Sequence, residues 1–285
     1  MSALGEEAGA GARWRAPRWA RIGPRSALIY GLAGFVLVIL AWQISALAFG
    51  LSERLYPTPH GVFWSFVDLI EKGILPVHVA DSLQRYAGGV ALGTVLAVSL
   101  GLLFGLNRFV ARMMLPLVNF LYAIVEVAWI PLFVLWFGYG ERVILLALVY
   151  VVTFPVLFNC LVGVLSVPQV YINAVRSLGA TRFQVVTQVI LPAMLPNFMT
   201  GFRVGAGFAF RGLVFGEVIA AQTGLGFLIF EGAQMQDTAR TVVGMIAMGA
   251  LWLFFDQVYL RPLERATLER WGMLAGEGET GGVRG

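Results

Sequence analysis

Asn173-Ala-Val-Arg-Ser-Leu-Gly179-Ala-Thr-Arg-Phe183, followed by Val189-Ile-Leu-Pro192-Ala-Met-Leu-Pro196, is a polar stretch between two long hydrophobic runs. That setting makes it a loop at a membrane face. Within it, Ala174 to Leu178 is a short helical pattern, Gly179 supplies a turn, and Thr181 can cap a second helix. Pro192 and Pro196 then read as a stop. A helical knob of this kind outside a bilayer is a surface for a partner.

Composition supports the membrane reading. Of 285 residues, 59% are hydrophobic and only 13% are charged, against about 25% charged in a soluble domain. Mean hydropathy is +0.80. The net charge of +4 is spread over short loops, so it reports topology rather than nucleic-acid binding. The single cysteine, Cys160, cannot form an internal disulfide. His60 and His78 are the only histidines, which argues against a zinc or histidine-based active site.

Residues 1–26 are rich in Gly, Ala and Arg and read as a disordered, basic cytoplasmic tail. A membrane domain is expected over 27–271, with the loop 164–199 inside it and a flexible tail at 272–285. Six spans are expected, at about 28–49, 88–106, 116–137, 143–165, 200–221 and 241–260. The first reads as an uncut anchor, its apolar run being too long for a signal peptide.

Orientation follows from the basic residues. With the N-terminus inside, the inner face holds Arg13, Arg15, Arg18, Arg21, Arg25, Arg108, Arg112, Arg176, Arg182, Arg261, Arg265, Arg270 and Arg284. The outer face holds Arg54, Lys72, Arg85, Arg142 and Arg240. Thirteen against five, from the 20 basic residues, is a positive-inside bias. Both termini and the 164–199 loop are then cytoplasmic. The outer segment 50–87 is expected to lie along the surface.

Two spans carry more than hydropathy. In the second, Gly89, Gly93, Ala97, Gly101 and Gly105 recur every four residues and form a small-residue ridge. The ridge packs either within the chain or between two copies. In the fifth, Gly201, Gly205, Gly212 and Gly216 fall on one face, and Arg203, Arg211 and Glu217 on the opposite arc. Charges at membrane depth face a bundle interior or a water-filled cavity. They are read here as a translocation pathway lining, or else as an Arg–Glu pair that fixes helix register. Glu126, in the middle of the third span and without a local partner, is read as part of the same pathway lining. Arg203 or Arg211 is its expected counter-charge.

No G-x-x-x-x-G-K-[ST] phosphate loop is present, nor H-E-x-x-H or C-x-x-C. Energy for transport must come from a partner or an ion gradient. The cytoplasmic loop resembles the coupling motif of ABC importer permeases, on Asn173-Ala174-Val175, Gly179 and Val189-Ile190-Leu191-Pro192. The resemblance runs over about 55–271. It includes Tyr56-Pro57-Thr58-Pro59, Ser82-Leu83 with Arg85, Ala128-Trp129-Ile130-Pro131-Leu132, Trp136-Phe137-Gly138-Tyr139-Gly140-Glu141, Gly201-Phe202-Arg203 and Gly224-Leu225-Gly226. Together these look like the nitrate/sulfonate/taurine branch.

The resemblance implies an all-α, six-helix membrane bundle of the type I ABC importer permease kind, non-enzymatic and in the inner membrane. It implies coupling through Asn173, Ala174, Val175, Leu178, Gly179, Ala180, Leu191 and Pro192 to a separate ABC ATPase subunit, which carries ATP and magnesium. This chain itself is expected to bind no cofactor. The further partners implied are an extracytoplasmic solute-binding protein, a second permease copy in a homodimer, and lipid. The implied solute is a small organic anion or oxyanion such as a sulfonate, taurine or nitrate. Two positions depart from the pattern. Asn173 replaces the usual glutamate, and Glu126 stands where the branch carries a neutral residue. A self-sufficient secondary transporter or channel is the alternative, and would show inverted repeats or interrupted helices. An integral membrane enzyme would need a polar catalytic cluster.

Overall fold

The computed structural model describes residues 24–50 and 52–263. The expected tails fall largely outside these residues. The chain divides into two units, Met1–Ser52 and Glu53–Gly285. The first contains α1 (Pro24–Phe49), whose stretch Ile29–Ala48 is long and apolar enough to span a bilayer.

Among the described residues of the second unit, every regular element is a helix or helical turn. Thr58 caps α2 (Pro59–Glu71), its hydroxyl accepting from the Gly61 N–H at 3.1 Å, with Pro59 in the first turn. Gly73, at φ +70°, turns the chain directly into α3 (Ile74–Leu106). The expected surface segment 50–87 is therefore corrected. Its second half is the first part of a 33-residue helix, about 50 Å long.

The expected third span is also corrected. It comprises α4 (Arg108–Ala123), a break at Ile124–Val125, a short 3₁₀ turn (Glu126–Trp129) and α5 (Ile130–Phe137), bent by 91°. A break inside a membrane must satisfy its freed carbonyls from within the protein. Tyr150 does this: its hydroxyl lies within hydrogen-bonding reach of the carbonyls of Leu121 and Ile124. Glu126 therefore sits at a bend, not in a straight helix.

The core is α6 (Glu141–Leu165), held between α3 and α9 (Leu191–Ala220). Gly89, Gly93, Gly101 and Gly105 of α3 meet Leu148, Val152, Cys160 and Val164, so these helices run parallel. Gly201, Gly205, Gly212 and Gly216 of α9 meet Asn159, Val156, Val151 and Ile144, so these run antiparallel. Both glycine faces thus close on one central helix, and the α3 ridge packs within the chain.

Between α6 and α9 lie α7 (Gln169–Ser177) and α8 (Arg182–Val185). The expected proline stop is absent. α8 passes through a π-turn, Val186–Ile190, into α9. Pro192 lacks an N–H and its ring crowds the carbonyl of Gln188, and the widened π-turn accommodates both effects. Finally α10 (Leu225–Gln234) and α11 (Thr238–Phe255) close the bundle, followed by a second π-turn, Asp256–Leu260.

Candidate functional site: a helical knob and a charged helix face

The knob is built by two backbone motifs. At the end of α7, the N–H of Gly179 donates to the Arg176 carbonyl at 2.9 Å, and that of Ala180 to the Val175 carbonyl at 3.2 Å. With Gly179 at φ +85°, this is a Schellman closure, which requires a left-handed residue at that position. Thr181 and Gln184 then form a capping box: the Gln184 N–H reaches the Thr181 hydroxyl at 3.3 Å, and the Thr181 N–H reaches Gln184 Oε1 at 2.8 Å. Backbone polarity is thus satisfied while apolar side chains point outward. Leu178 is 87% exposed and Phe183 76%, beside exposed Val170 and Tyr171. Asn173, Ala174 and Gly179 are exposed, and Val175, Ala180, Leu191 and Pro192 are half-buried.

Along α9, Arg203 and Arg211 lie on one face with Gly207 between them. Both line a cavity of about 420 Å³ together with Val204, Phe208, Trp252 and Asp256. Asp256 draws Arg203 to 3.5 Å and Arg261 to 2.8 Å. The π-turn makes the second contact by stacking position 261 over 256. Arg211 and Phe208 also line a neighbouring cavity of about 260 Å³, which contains Glu126.

At the end of the bundle opposite the knob, Glu217 is fully enclosed. Its carboxylate accepts from the Ser82 hydroxyl at 2.8 Å, from Arg85 Nη1 at 2.9 Å and from the Gly226 N–H at 2.8 Å. Arg85 also donates to Glu141 and to both Thr223 oxygens. The Ser82 oxygen accepts the Leu225 N–H, and His78 Nδ1 accepts that of Gly224. The result is a buried clasp joining α3, α6, α9 and the turn into α10.

Residues 89–261 match the family model described as binding-protein-dependent transport system inner membrane component. The chain belongs to that family. A Bacillus subtilis relative named for aliphatic sulfonates transport, SsuC, is 31% identical over 84% of this chain and 86% of its own. The taurine transport system permease protein TauC of Escherichia coli is 33% identical over 81% and 85%. The bicarbonate transport system permease protein CmpB of Synechococcus elongatus is 28% identical over 86% and 89%. The inward-facing MetNI methionine ABC transporter superposes at a TM-score of 0.56 with 21% identity, covering 67% of this chain and 94% of that one. The fold is that of a type I ABC importer permease, and the chain is a multi-pass permease subunit.

In this permease the arc of Arg203, Arg211 and Glu217 divides. Arg203 and Arg211 face the cavities, whereas Glu217 turns into the clasp. The expected pairing of Glu126 with either arginine is not formed: Arg203 pairs with Asp256, and among the described residues neither Glu126 nor Arg211 takes part in an ion pair. Sequence reasoning missed Asp256, although it is the one charged residue in the expected span 241–260. Arg85, expected in the outer surface segment 50–87, lies within α3. The absence of any helix-breaking residue between Pro76 and Gly88 was the signal for a helix there.

Proposed function

We propose that this permease forms half of a solute pathway and couples it to a separate ATPase through residues 172–184. The carrying observation is the knob itself, a helix–turn–helix closed at the C-terminus of α7 and capped at the N-terminus of α8, which exposes Leu178 and Phe183. Large exposed apolar side chains beside a satisfied backbone mark a protein interface. Ala174 and Gly179 form its small-residue surface, where a groove can approach closely. Asn173 brings a neutral hydrogen-bonding group in place of the family's glutamate.

In this reading both termini and the knob are cytoplasmic, and ATP and magnesium reside on the partner. A second permease copy completes the pathway, and an extracytoplasmic binding protein supplies it. The solute is a small organic anion or oxyanion of the sulfonate, taurine or nitrate type. Arg203 and Arg211 support an anion, as does the naming of the SsuC and TauC relatives. The 91° break is a feature that secondary transporters also use, but the family assignment favours a partner-driven importer. Co-purification tests the reading. The wild-type permease should retain the ATPase, and Ala174→Glu should lose it while inserting normally. Retention of ATPase and of stimulated hydrolysis in that variant would overturn it.

A further inference from the structure

The geometry points to a binding site for a small zwitterion in the cavity between α9 and the α4–α5 break, with the amine facing Glu126 and the anionic group facing Arg211. This deepens the pathway reading and rests on it. The cavity is lined by Tyr122, Val125, Glu126, Tyr150, Phe154 and Arg211, among others. It lies beside Val151 to Pro155, the middle of α6, and so at membrane depth.

An uncompensated charge at that depth is costly, and ionisable groups there normally pair or face a water-filled cavity. Elsewhere the chain avoids this cost: Arg85 is paired with Glu217, and Asp256 with two arginines. Glu126 and Arg211 share one cavity, yet neither is engaged in an ion pair or a hydrogen bond among the described residues. A solute with one negative charge would satisfy Arg211 and be repelled by Glu126. One with a single positive charge would do the reverse. A molecule carrying both satisfies both.

The walls fit the same ligand. Tyr122, Phe154 and Phe208 present ring surface, which favours an amine through cation–π attraction. Arg211 already lies 5.5 Å above the Phe208 ring, which holds the guanidinium against one wall. The Tyr150 hydroxyl is committed to the α4 carbonyls and leaves the charged pair as the discriminating groups. At about 260 Å³ the space suits a solute of few heavy atoms.

The test uses the permease–ATPase complex without its binding protein, so that only the permease reads the solute. Labelled 2-aminoethanesulfonate, ethanesulfonate and ethylammonium serve as probes. The zwitterion should bind about tenfold or more tighter than either single-charge analogue, the gain expected from one charge-assisted contact. Glu126→Gln should lower zwitterion affinity, raise ethanesulfonate affinity by removing the like charge, and so abolish the preference for the zwitterion, while preserving the thermal midpoint. Glu126→Asp should restore part of the preference, and Arg211→Gln should weaken both sulfonates. Equal affinity for the two sulfonates would overturn the proposal. So would parallel losses in Glu126→Gln, or no binding by a folded, ATPase-retaining complex. A cavity filled by a second copy, or a Glu126–Arg211 pair formed in another state, would give that last result. The coupling reading is judged separately, by ATPase retention.

Discussion

Arg85 Nη1 donates to Glu217 Oε1 at 2.9 Å, across 132 positions of sequence and with both side chains buried. This contact gathers motifs that lie far apart along the chain. Ser82 and Arg85 come from α3, Glu141 from the start of α6, and Thr223 to Gly226 from the turn after α9. Each has a physical task in closing one network. The clasp fixes one end of the bundle while the cavities lie further along α9.

Removing Arg85 from the clasp strands the buried carboxylate of Glu217. Arg85→Gln leaves Glu217 enclosed without its counter-charge and should cost about 3–5 kcal/mol, the usual penalty for removing one member of a buried pair, whereas Glu217→Gln should cost less, because Arg85 keeps its pairing with Glu141. The double variant should melt above Arg85→Gln, because the one charge then left over, Glu141, is exposed to solvent. Thermal unfolding of the detergent-solubilised protein measures this. A double variant at the sum of the two losses would show that the pair is not coupled.

The two glycine faces differ in tolerance. A Cβ on Gly93 would lie 2.8 Å from the Val152 Cβ and 3.1 Å from the Val149 carbonyl oxygen. On Gly212 its nearest neighbour would be Val151 at 3.6 Å, an ordinary contact. Gly93→Ala should therefore destabilise by about 1–3 kcal/mol through overpacking. Gly212→Ala should be neutral or stabilising, since alanine favours the helix by up to about 1 kcal/mol. Melting temperatures that rank the two variants in the opposite order would contradict this packing.

Much of this arrangement is legible from local pattern. Small residues four apart mark α3 and α9 as close-packing helices, and Gly179 with Thr181 marks the knob. These features depend on period and backbone preference, which a single segment carries. The α4–α5 break does not, because its carbonyls are satisfied by Tyr150 from another helix. Glu217 escaped for the same reason: its periodicity resembles that of Arg211, but its fate is decided by Ser82 and Arg85. Pro192 misled because a π-turn, not a helix end, absorbs it.

The knob separates folding from coupling. Leu178 is exposed and outside the core, so Leu178→Asp should change stability by no more than about 0.5 kcal/mol. It should nonetheless reduce ATPase retention and stimulated hydrolysis. Gly179→Ala acts differently: the added methyl meets nothing within 4 Å, but φ +85° penalises any side chain, by about 1–2 kcal/mol. Asn173→Glu should still assemble if the partner groove keeps a basic group. Pull-down of the ATPase with each variant reads these outcomes, and normal coupling in Leu178→Asp would remove the knob from the interface.

The face of α9 can be mapped directly. In a Cys160→Ser background, single cysteines at 203, 207 and 211 should react with a water-soluble thiol reagent, because these positions line the cavities. Positions 201, 205, 212 and 216 should be protected by α6. Position 217 is the decisive one. Charge periodicity groups it with the arginines, whereas the clasp encloses it behind Ser82 and Arg85. A cysteine there leaves Arg85 paired with Glu141, so the site stays balanced and protection can be read directly. Labelling at 203 and 211 with protection at 217 supports the divided face. Strong labelling at 217 would place Glu217 in the solute pathway and dissolve the distinction between clasp and cavity.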